Sequence, residues 1–204
     1  MAEREETLLE RKVKELNTLY GIGKAVTALL DLEKLLNRIV EAAVYLTSAE
    51  EGFLLLVDEE TGELYMRAGR GLGEKYARGF RLKVDDSIAG QVVKTGKPLM
   101  FVSPREELKL KTGYLVKSLL NVPLKVGEKV IGVLSVDNAA SGKAFTESDL
   151  FLLSALADYA AIAIENARLY QKTEGEARRL AQALQAQAVE LSRSRAVLSL
   201  EEME

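Results

Sequence analysis

Apolar residues near the N-terminus recur at helical spacing. Leu9, Val13, Leu16 and Tyr20 are separated by alternating steps of four and three residues, with charged residues at most other positions. This spacing is typical of the seam along which two helices pair. Residues 3–29 are therefore predicted to be an amphipathic helix, which either packs on its own domain or pairs with another helix.

Two further helices are predicted from the same kind of spacing. One begins after Asp31, a good N-cap residue, and ends near Thr47. The other begins at the capping-box pattern of residues 146–149 and runs toward the C-terminus, because no proline follows Pro123. The predicted buried face of this long helix consists of Leu150, Leu153, Leu156, Ala157, Ala160, Ala161, Ile164 and Ala167.

Short apolar runs between these helices predict about six strands. The runs are separated by turn residues and are joined mostly as hairpins, at residues 53–57, 64–68, 80–84, 99–102, 118–126 and 129–137. A short helix is predicted between Ser87, its cap, and Gly96, its stop. Hairpins in the middle and helices at the ends favour an antiparallel α+β domain with a layer of terminal helices.

Composition removes several kinds of chemistry. The 204 residues include no Cys, His or Trp, which excludes disulfides, thiolate catalysis, Cys- or His-based zinc sites, His-ligated haem and Ser-His-Asp triads. Because 28 basic and 31 acidic residues are interspersed, no basic face for nucleic acid is expected. The sequence shows neither a secretory signal nor an apolar run long enough to span a bilayer. We expect a cytoplasmic protein without metal or cofactor, and without nucleic-acid or membrane partners.

Four stretches of the sequence resemble the GAF domain, a small-molecule-sensing module of many signalling proteins. Residues 32–40 resemble the family's entry helix, and residues 87–98 resemble its central helix and turn. Residues 118–124 together with 130–134 resemble its core hairpin, and residues 145–149 resemble the start of its last helix. The resemblance implies a six-stranded antiparallel sheet. Terminal helices would cover one face and mediate dimerisation, and residues 69–116 would cover a ligand pocket on the other.

The resemblance also implies an organisation in three parts. Residues 1–29 would be a signalling and dimerisation helix, 30–171 the sensory domain, and 172–204 a coiled-coil-like helical extension. The chain ends at Glu204 inside this last helix, and the sequence leaves two alternatives open: a complete protein, or part of a longer one with a downstream signalling domain.

The geometry of the predicted elements and the resemblance to GAF domains together identify a set of candidate pocket residues. Alternatives remain open for several: Ile88, Phe101 and Leu120 could be plain core, and Arg67 and Gln91 could face water. The candidates are Arg67, Phe80, Ile88, Ala89, Gln91, Phe101, Thr112, Tyr114, Ser118, Leu120 and Ser135.

The known ligands of the family fit this sequence unevenly. Bilin attachment and sulfoxide reduction need Cys, and haem ligation normally uses His. The cyclic-nucleotide-binding members resemble this chain at Ile88-Ala89 and Thr112, and their structural motif is matched at Asn138, Phe145 and Asp149. The motif's Lys and Glu positions are Ala139 and Leu150, however, and Ser135 stands where an acid can read a guanine edge.

The expected function is a noncatalytic regulatory module of bacterial-type signal transduction. It would bind a small molecule and relay its state through the terminal helices of a homodimer. The alternative is a ligand-free scaffold used only for dimerisation. An enzyme is the third interpretation, and no catalytic residue is nominated.

Overall fold

The computed structural model describes residues 2–71, 80–102, 108–109, 115–141 and 143–201. The chain divides into two compact units, Met1–Asn166 and Ala167–Glu204. The helices are α1 (Ala2–Thr27), α2 (Leu32–Thr47), α3 (Ile88–Thr95) and α4 (Glu147–Glu201). The strands are β1 (Glu51–Val57), β2 (Leu64–Arg70), β3 (Arg81–Leu82), β4 (Leu99–Val102), β5 (Leu108–Lys109), β6 (Leu115–Val116), β7 (Ser118–Val126) and β8 (Lys129–Asn138).

Six of the strands form one antiparallel sheet in the order β3-β2-β1-β8-β7-β4. This confirms the predicted α+β fold with a six-stranded sheet. The strand predicted at 80–84 is shorter than expected, because the chain enters a 3₁₀ turn at Val84–Asp86. The small pair β5–β6 forms a separate antiparallel ribbon, which the hydrophobic pattern does not predict.

We call the side of the sheet that packs on α2 the helical face. Leu35, Leu36 and Ile39 of α2 are fully buried. The helix approaches β1 so closely that a Cβ on Gly52 would lie 2.7 Å from Val44 Cγ2. Burying these aliphatic side chains is the main stabilising contribution on this side of the sheet.

The long helix begins as the sequence predicts. Thr146 N donates to Asp149 Oδ2 over 2.8 Å, and Asp149 N donates to Thr146 Oγ1 over 3.3 Å, which is a reciprocal capping box. Its predicted inner face is confirmed from Leu153 to Ala167, all members of which are buried, whereas Leu150 is half-buried.

By length and composition alone, α4 is long and apolar enough to cross a membrane. The stretch that meets this criterion lies within Glu147–Val189 and has a mean hydropathy of 1.4. Half of the tested window is buried inside the protein, and the core helix of a globular domain passes the same test. The result is therefore weak evidence for a membrane span.

The other side of the sheet, which we call the α3 face, packs on α3. Ala89 and Val92 join a core cluster with Leu55, Met66 and Val133. Gly90 allows this packing, because a Cβ there would lie 1.8 Å from the carbonyl oxygen of Val84. At the start of the helix, Ser87 Oγ accepts a hydrogen bond from Gly90 N over 3.0 Å.

Helix α1 packs through a face different from its predicted seam. Leu19 and Val26 are buried, and a Cβ on Gly23 would lie 2.9 Å from the ring of Tyr159 in α4. Near the other end, Lys12 Nζ donates to Ser148 Oγ over 2.7 Å. The seam residues Val13, Leu16 and Tyr20 are 48%, 50% and 66% exposed. These three residues of the seam therefore do not pack on the helix's own domain.

The second unit consists of a helical segment, the part of α4 that begins at Ala167. Glu174 and Arg178 form an ion pair of 2.6 Å one turn apart. Large apolar side chains on this segment are about half exposed or more, namely Leu169, Tyr170, Leu180, Leu184 and Val189.

Candidate functional site

Strand register identifies which side chains share the α3 face. Phe53, Leu55 and Val57 of β1 point to this side, since Leu55 belongs to the α3 core cluster and side chains alternate along a strand. Ser135 of β8 lies opposite Phe53, and Asn121 of β7 lies opposite Ser135. Two central strands therefore place polar side chains on the α3 face, beside apolar neighbours.

Asn121 and Ser135, which we call the polar pair, are deeply buried. Their exposed fractions are 2% and 0%. Within the described part of the chain, Asn121 Oδ1 and Ser135 Oγ have no hydrogen-bond partner. Buried polar atoms are nearly always hydrogen-bonded in native proteins, so an unpartnered pair on one surface requires an explanation.

Among the described residues, those that strand register places beside the polar pair carry no positive charge. Leu99 pairs with Asn121 in register, Leu119 and Val133 lie two residues away along their strands, and Asp137 is a buried acid on the same face. The described residues also contain no cluster of three or more acidic side chains that could hold a metal ion. The described surroundings thus offer hydrogen bonds and apolar contact, without a cation for an anionic group.

Two predicted pocket residues, Ser118 and Leu120, lie on the helical face instead. Leu120 pairs with Val136, which pairs with Gly52, the residue that touches α2. Ser118 has the same parity along β7, and its Oγ accepts a hydrogen bond from Phe145 N over 3.3 Å, just before α4. The pocket assignment of both residues is therefore corrected: Leu120 is core, and Ser118 holds the chain that enters α4.

Arg67 is also placed away from the core of the α3 face. Its guanidinium lies 5.6 Å from the centre of the Tyr65 ring, and its Nη1 donates to Tyr65 Oη over 3.3 Å. Tyr65 pairs in register with Leu56, on the opposite side from Leu55. The register shift beside Leu55 turns this part of β2. Arg67 therefore stacks on a neighbouring tyrosine and does not contribute to the α3 face.

The other candidates have different positions. Ala89 is buried in the core cluster, and Phe80 packs against that cluster while half-buried. Ile88 and Phe101 are half-buried, and Phe101 shares the α3 face because it pairs with Leu119. Gln91 is exposed, as its water-facing alternative expects. Thr112 and Tyr114 lie outside the described residues, and so does part of the segment 69–116 that is predicted to cover the ligand pocket.

Asn121 was not nominated from the sequence. It is the one polar residue in the otherwise apolar run from Leu119 to Leu124. That isolation was a signal for a buried polar group, but the run has no clear alternation that would have indicated its face.

The matched motif residues Asn138 and Phe145 lie around the loop that leads to α4. Asn138 Oδ1 accepts from Glu50 N over 2.9 Å, and its Nδ2 donates to the Lys143 carbonyl over 2.8 Å. Glu50 accepts hydrogen bonds from Ala140 N and Ser141 N over 2.8 and 2.7 Å. Hydrogen bonding by Ser141 and by these backbone groups lowers the pKa of Glu50 below its ordinary value of 4.5. These polar groups fasten the loop to the sheet.

Comparison with known proteins identifies the family. The family model described as "GAF domain" matches residues 30–165, and the chain belongs to this family. The fold agrees with solved GAF domains. The GAF domain of a phosphoenolpyruvate-protein phosphotransferase from Acinetobacter is 22% identical, with a TM-score of 0.66 over 76% of this chain and 95% of that chain. The GAF domain of a putative sensor histidine kinase from Pseudomonas syringae is 19% identical, with a TM-score of 0.61 over 86% and 99%.

Two longer relatives show the kind of protein in which this domain occurs. The chain is 31% identical over 131 residues to the Nif-specific regulatory protein of Azospirillum lipoferum, covering 60% of this chain and 21% of that protein. It is 26% identical over 189 residues to the dual 3′,5′-cyclic-AMP and -GMP phosphodiesterase 11 of Drosophila melanogaster, covering 83% and 13%. The chain thus matches only 21% and 13% of the length of these relatives, as a GAF domain of regulatory and signalling proteins.

Proposed function

We propose that this chain is a noncatalytic sensory module of a cytoplasmic signalling protein. A small molecule binds on the α3 face, and its presence is relayed through the terminal helices of a homodimer to a neighbouring domain. The observation that carries the proposal is the polar pair, because Asn121 Oδ1 and Ser135 Oγ are buried without partners on two central strands. A ligand that bonds to them removes the cost of burying them unpaired.

The polar pair lies on the same two strands as the residues that hold the chain before α4. Asn121 shares β7 with Ser118, whose Oγ binds Phe145 N. Ser135 shares β8 with Asn138, whose side chain binds the Lys143 carbonyl. The same strands therefore carry the polar pair on one face and the attachments of α4 on the other. A ligand that favours one position of these strands shifts the population of α4 arrangements.

The dimer part of the proposal rests on an apolar stripe within the first unit. Val13, Leu16 and Tyr20 are about half exposed or more on α1, and Phe151 and Ile162 of α4 are 58% and 54% exposed. Spacing of three and four residues along α1 suits pairing with a second helix. A second copy of this chain can satisfy the stripe by a symmetric contact, in which the same surface is used twice.

The ligand is tested by native mass spectrometry of protein purified without denaturation. We expect an adduct of defined mass on the folded wild-type chain, and its loss in the Ser135→Ala variant. Ser118→Ala is the matched control, because it removes the same atom from the other face of the sheet. A wild-type protein that carries no adduct, and shows no thermal shift with a metabolite library, contradicts the sensing proposal.

The dimer is tested by crosslinking, for which a chain without native cysteine is well suited. Leu16→Cys is expected to give a covalent dimer with a short bis-maleimide reagent. Ala25→Cys, at an exposed position on a different side of α1, is expected to remain uncrosslinked. Equal crosslinking of both variants, or of neither, argues against a dimer through this stripe.

A ligand-free dimerisation scaffold is the second candidate. The same exposed stripe on α1 favours it, because pairing of the stripe requires no ligand. A specific Leu16 crosslink together with an empty mass spectrum would support the scaffold. A specific crosslink whose yield changes when an identified ligand is removed would support the sensor.

A further inference from the structure

The chemistry of the polar pair restricts the class of ligand, given the sensory function proposed above. Asn121 and Ser135 lie directly opposite each other on adjacent antiparallel strands, so their side chains project from neighbouring points on the α3 face. One unpartnered atom is a carbonyl oxygen, which only accepts hydrogen bonds. The other is a hydroxyl oxygen, which can donate as well as accept.

We propose that the α3 face binds a neutral molecule through a carboxamide or lactam edge. Such an edge carries an N–H donor and a C=O acceptor side by side. The ligand's N–H would donate to Asn121 Oδ1, and the Ser135 hydroxyl would donate to the ligand's carbonyl. Both buried polar atoms then gain partners from one planar group.

Charged ligands fit these surroundings less well. A carboxylate would bring a negative charge next to Asn121 Oδ1, and the described residues around the pair include the buried Asp137 and no cation. Burying an ion without a counter-charge is strongly unfavourable. An ammonium group provides donors for Asn121 but has no acceptor for the Ser135 hydroxyl proton. A neutral amide edge gives a partner to both unpartnered oxygen atoms and adds no charge to this face.

The neighbours of the pair indicate the remainder of the ligand. Phe53 pairs with Ser135 across β1 and β8, and Leu99 pairs with Asn121 across β4 and β7. Leu119, two residues from Asn121, is 1% exposed. Apolar residues therefore flank the polar pair on both sides. This combination suits an apolar or aromatic body attached to the amide edge.

Three probes of the same size separate the alternatives: benzamide, benzoate and benzylammonium. Each is titrated into the ¹⁵N-labelled full chain at pH 7, and dissociation constants are taken from amide chemical shifts. We expect benzamide to bind at least about tenfold more tightly than either ion. Ser135→Ala and Asn121→Leu are each expected to weaken benzamide about tenfold, because each removes one hydrogen bond. Ser118→Ala, on the helical face, is the control and keeps the preference.

Tighter binding of benzoate or of benzylammonium would overturn the inference, and so would benzamide binding that Ser135→Ala and Asn121→Leu leave unchanged. Failure of all three probes would overturn it as well. These results are separable from failure of the sensory function. A co-purified molecule without an amide edge would reject the amide class and keep the sensor, whereas an empty protein without any ligand response would reject the sensor itself.

Discussion

Buried polar residues on the two faces of strands β7 and β8 differ in their hydrogen bonding. On the helical face, Ser118 and Asn138 are 0% and 1% exposed, and both form hydrogen bonds to the chain near the start of α4. On the α3 face, Asn121 and Ser135 are buried to the same degree, but Asn121 Oδ1 and Ser135 Oγ are unpartnered. Burial and polarity alone therefore do not distinguish a structural residue from a candidate ligand contact; hydrogen bonding does.

This difference has an energetic meaning. A buried polar group without a partner costs about 1–3 kcal/mol, whereas a satisfied one contributes about 1 kcal/mol to stability. Stability alone gives no reason to keep an unpartnered polar pair, and such conflicts between local chemistry and folding tend to occur at functional sites. The predictions below test whether the two faces are divided in this way.

The largest effect is expected in the apolar core of the helical face. Leu153 is fully buried, so Leu153→Ala should lower the free energy of unfolding by about 2–5 kcal/mol. Urea unfolding followed by circular dichroism measures this loss. Asp158→Ala, at an exposed position on the same helix, is the control and should change stability by less than about 0.5 kcal/mol. A small effect at Leu153 would mean that α4 is not an essential part of this face.

The α3 face should respond strongly to added volume at Gly90. A methyl group there meets the Val84 carbonyl, so Gly90→Ala should displace α3 and cost about 1–3 kcal/mol in urea unfolding. Gly21→Ala is the matched control, because Gly21 is also helical and has open space around its Cβ position. Alanine is the better helix former, so this control should stabilise the protein by up to about 1 kcal/mol. Equal effects at both positions would contradict the close packing of α3.

A pair of identical substitutions compares the two faces directly. Ser118→Ala should destabilise the protein by about 0.5–1.5 kcal/mol, because Phe145 N loses its acceptor. Ser135→Ala should leave the stability of the ligand-free protein unchanged or raise it, since no hydrogen bond is lost. Thermal and urea unfolding of both variants provide the comparison. If Ser135→Ala destabilises as much as Ser118→Ala, the polar pair has a structural role.

The fold could be predicted from the sequence because its signals are local. The capping box at Thr146 and the spacing of apolar residues along α4 depend on one helix only, and both predictions are confirmed. The division of β7 between faces could not be predicted. Strand residues 119–124 are buried on both sides except for the half-buried Pro123, so apolar residues do not alternate with polar ones. Ser118 and Leu120 were therefore assigned to the wrong face, and Asn121 was missed.

Packing that depends on small residues or on irregular backbone also escaped the sequence pattern. Helix α1 packs on α4 at Gly23, which contributes no apolar side chain to a hydrophobic pattern. Arg67 lies next to a register shift between β1 and β2, and simple alternation does not hold across such a shift. For α1 the deciding contact comes from a distant part of the chain, and for Arg67 it comes from the irregular pairing of two neighbouring strands.

The smallest predicted effect concerns Glu50, which helps to hold the loop before α4 on the helical face. The Ser141 hydrogen bond and the backbone N–H groups of residues 139–141 keep the pKa of Glu50 below 4.5. A lowered pKa means that the ionised form stabilises the fold above about pH 4.5, and that this contribution is lost as the pH falls through the folded-state pKa. Because Glu50 is exposed, the expected contribution is only about 0.5 kcal/mol or less. Glu50→Gln should therefore unfold at lower urea than wild type at pH 7, and the two midpoints should converge toward pH 3. A gap that widens at low pH would show that the Glu50 carboxylate does not stabilise this loop.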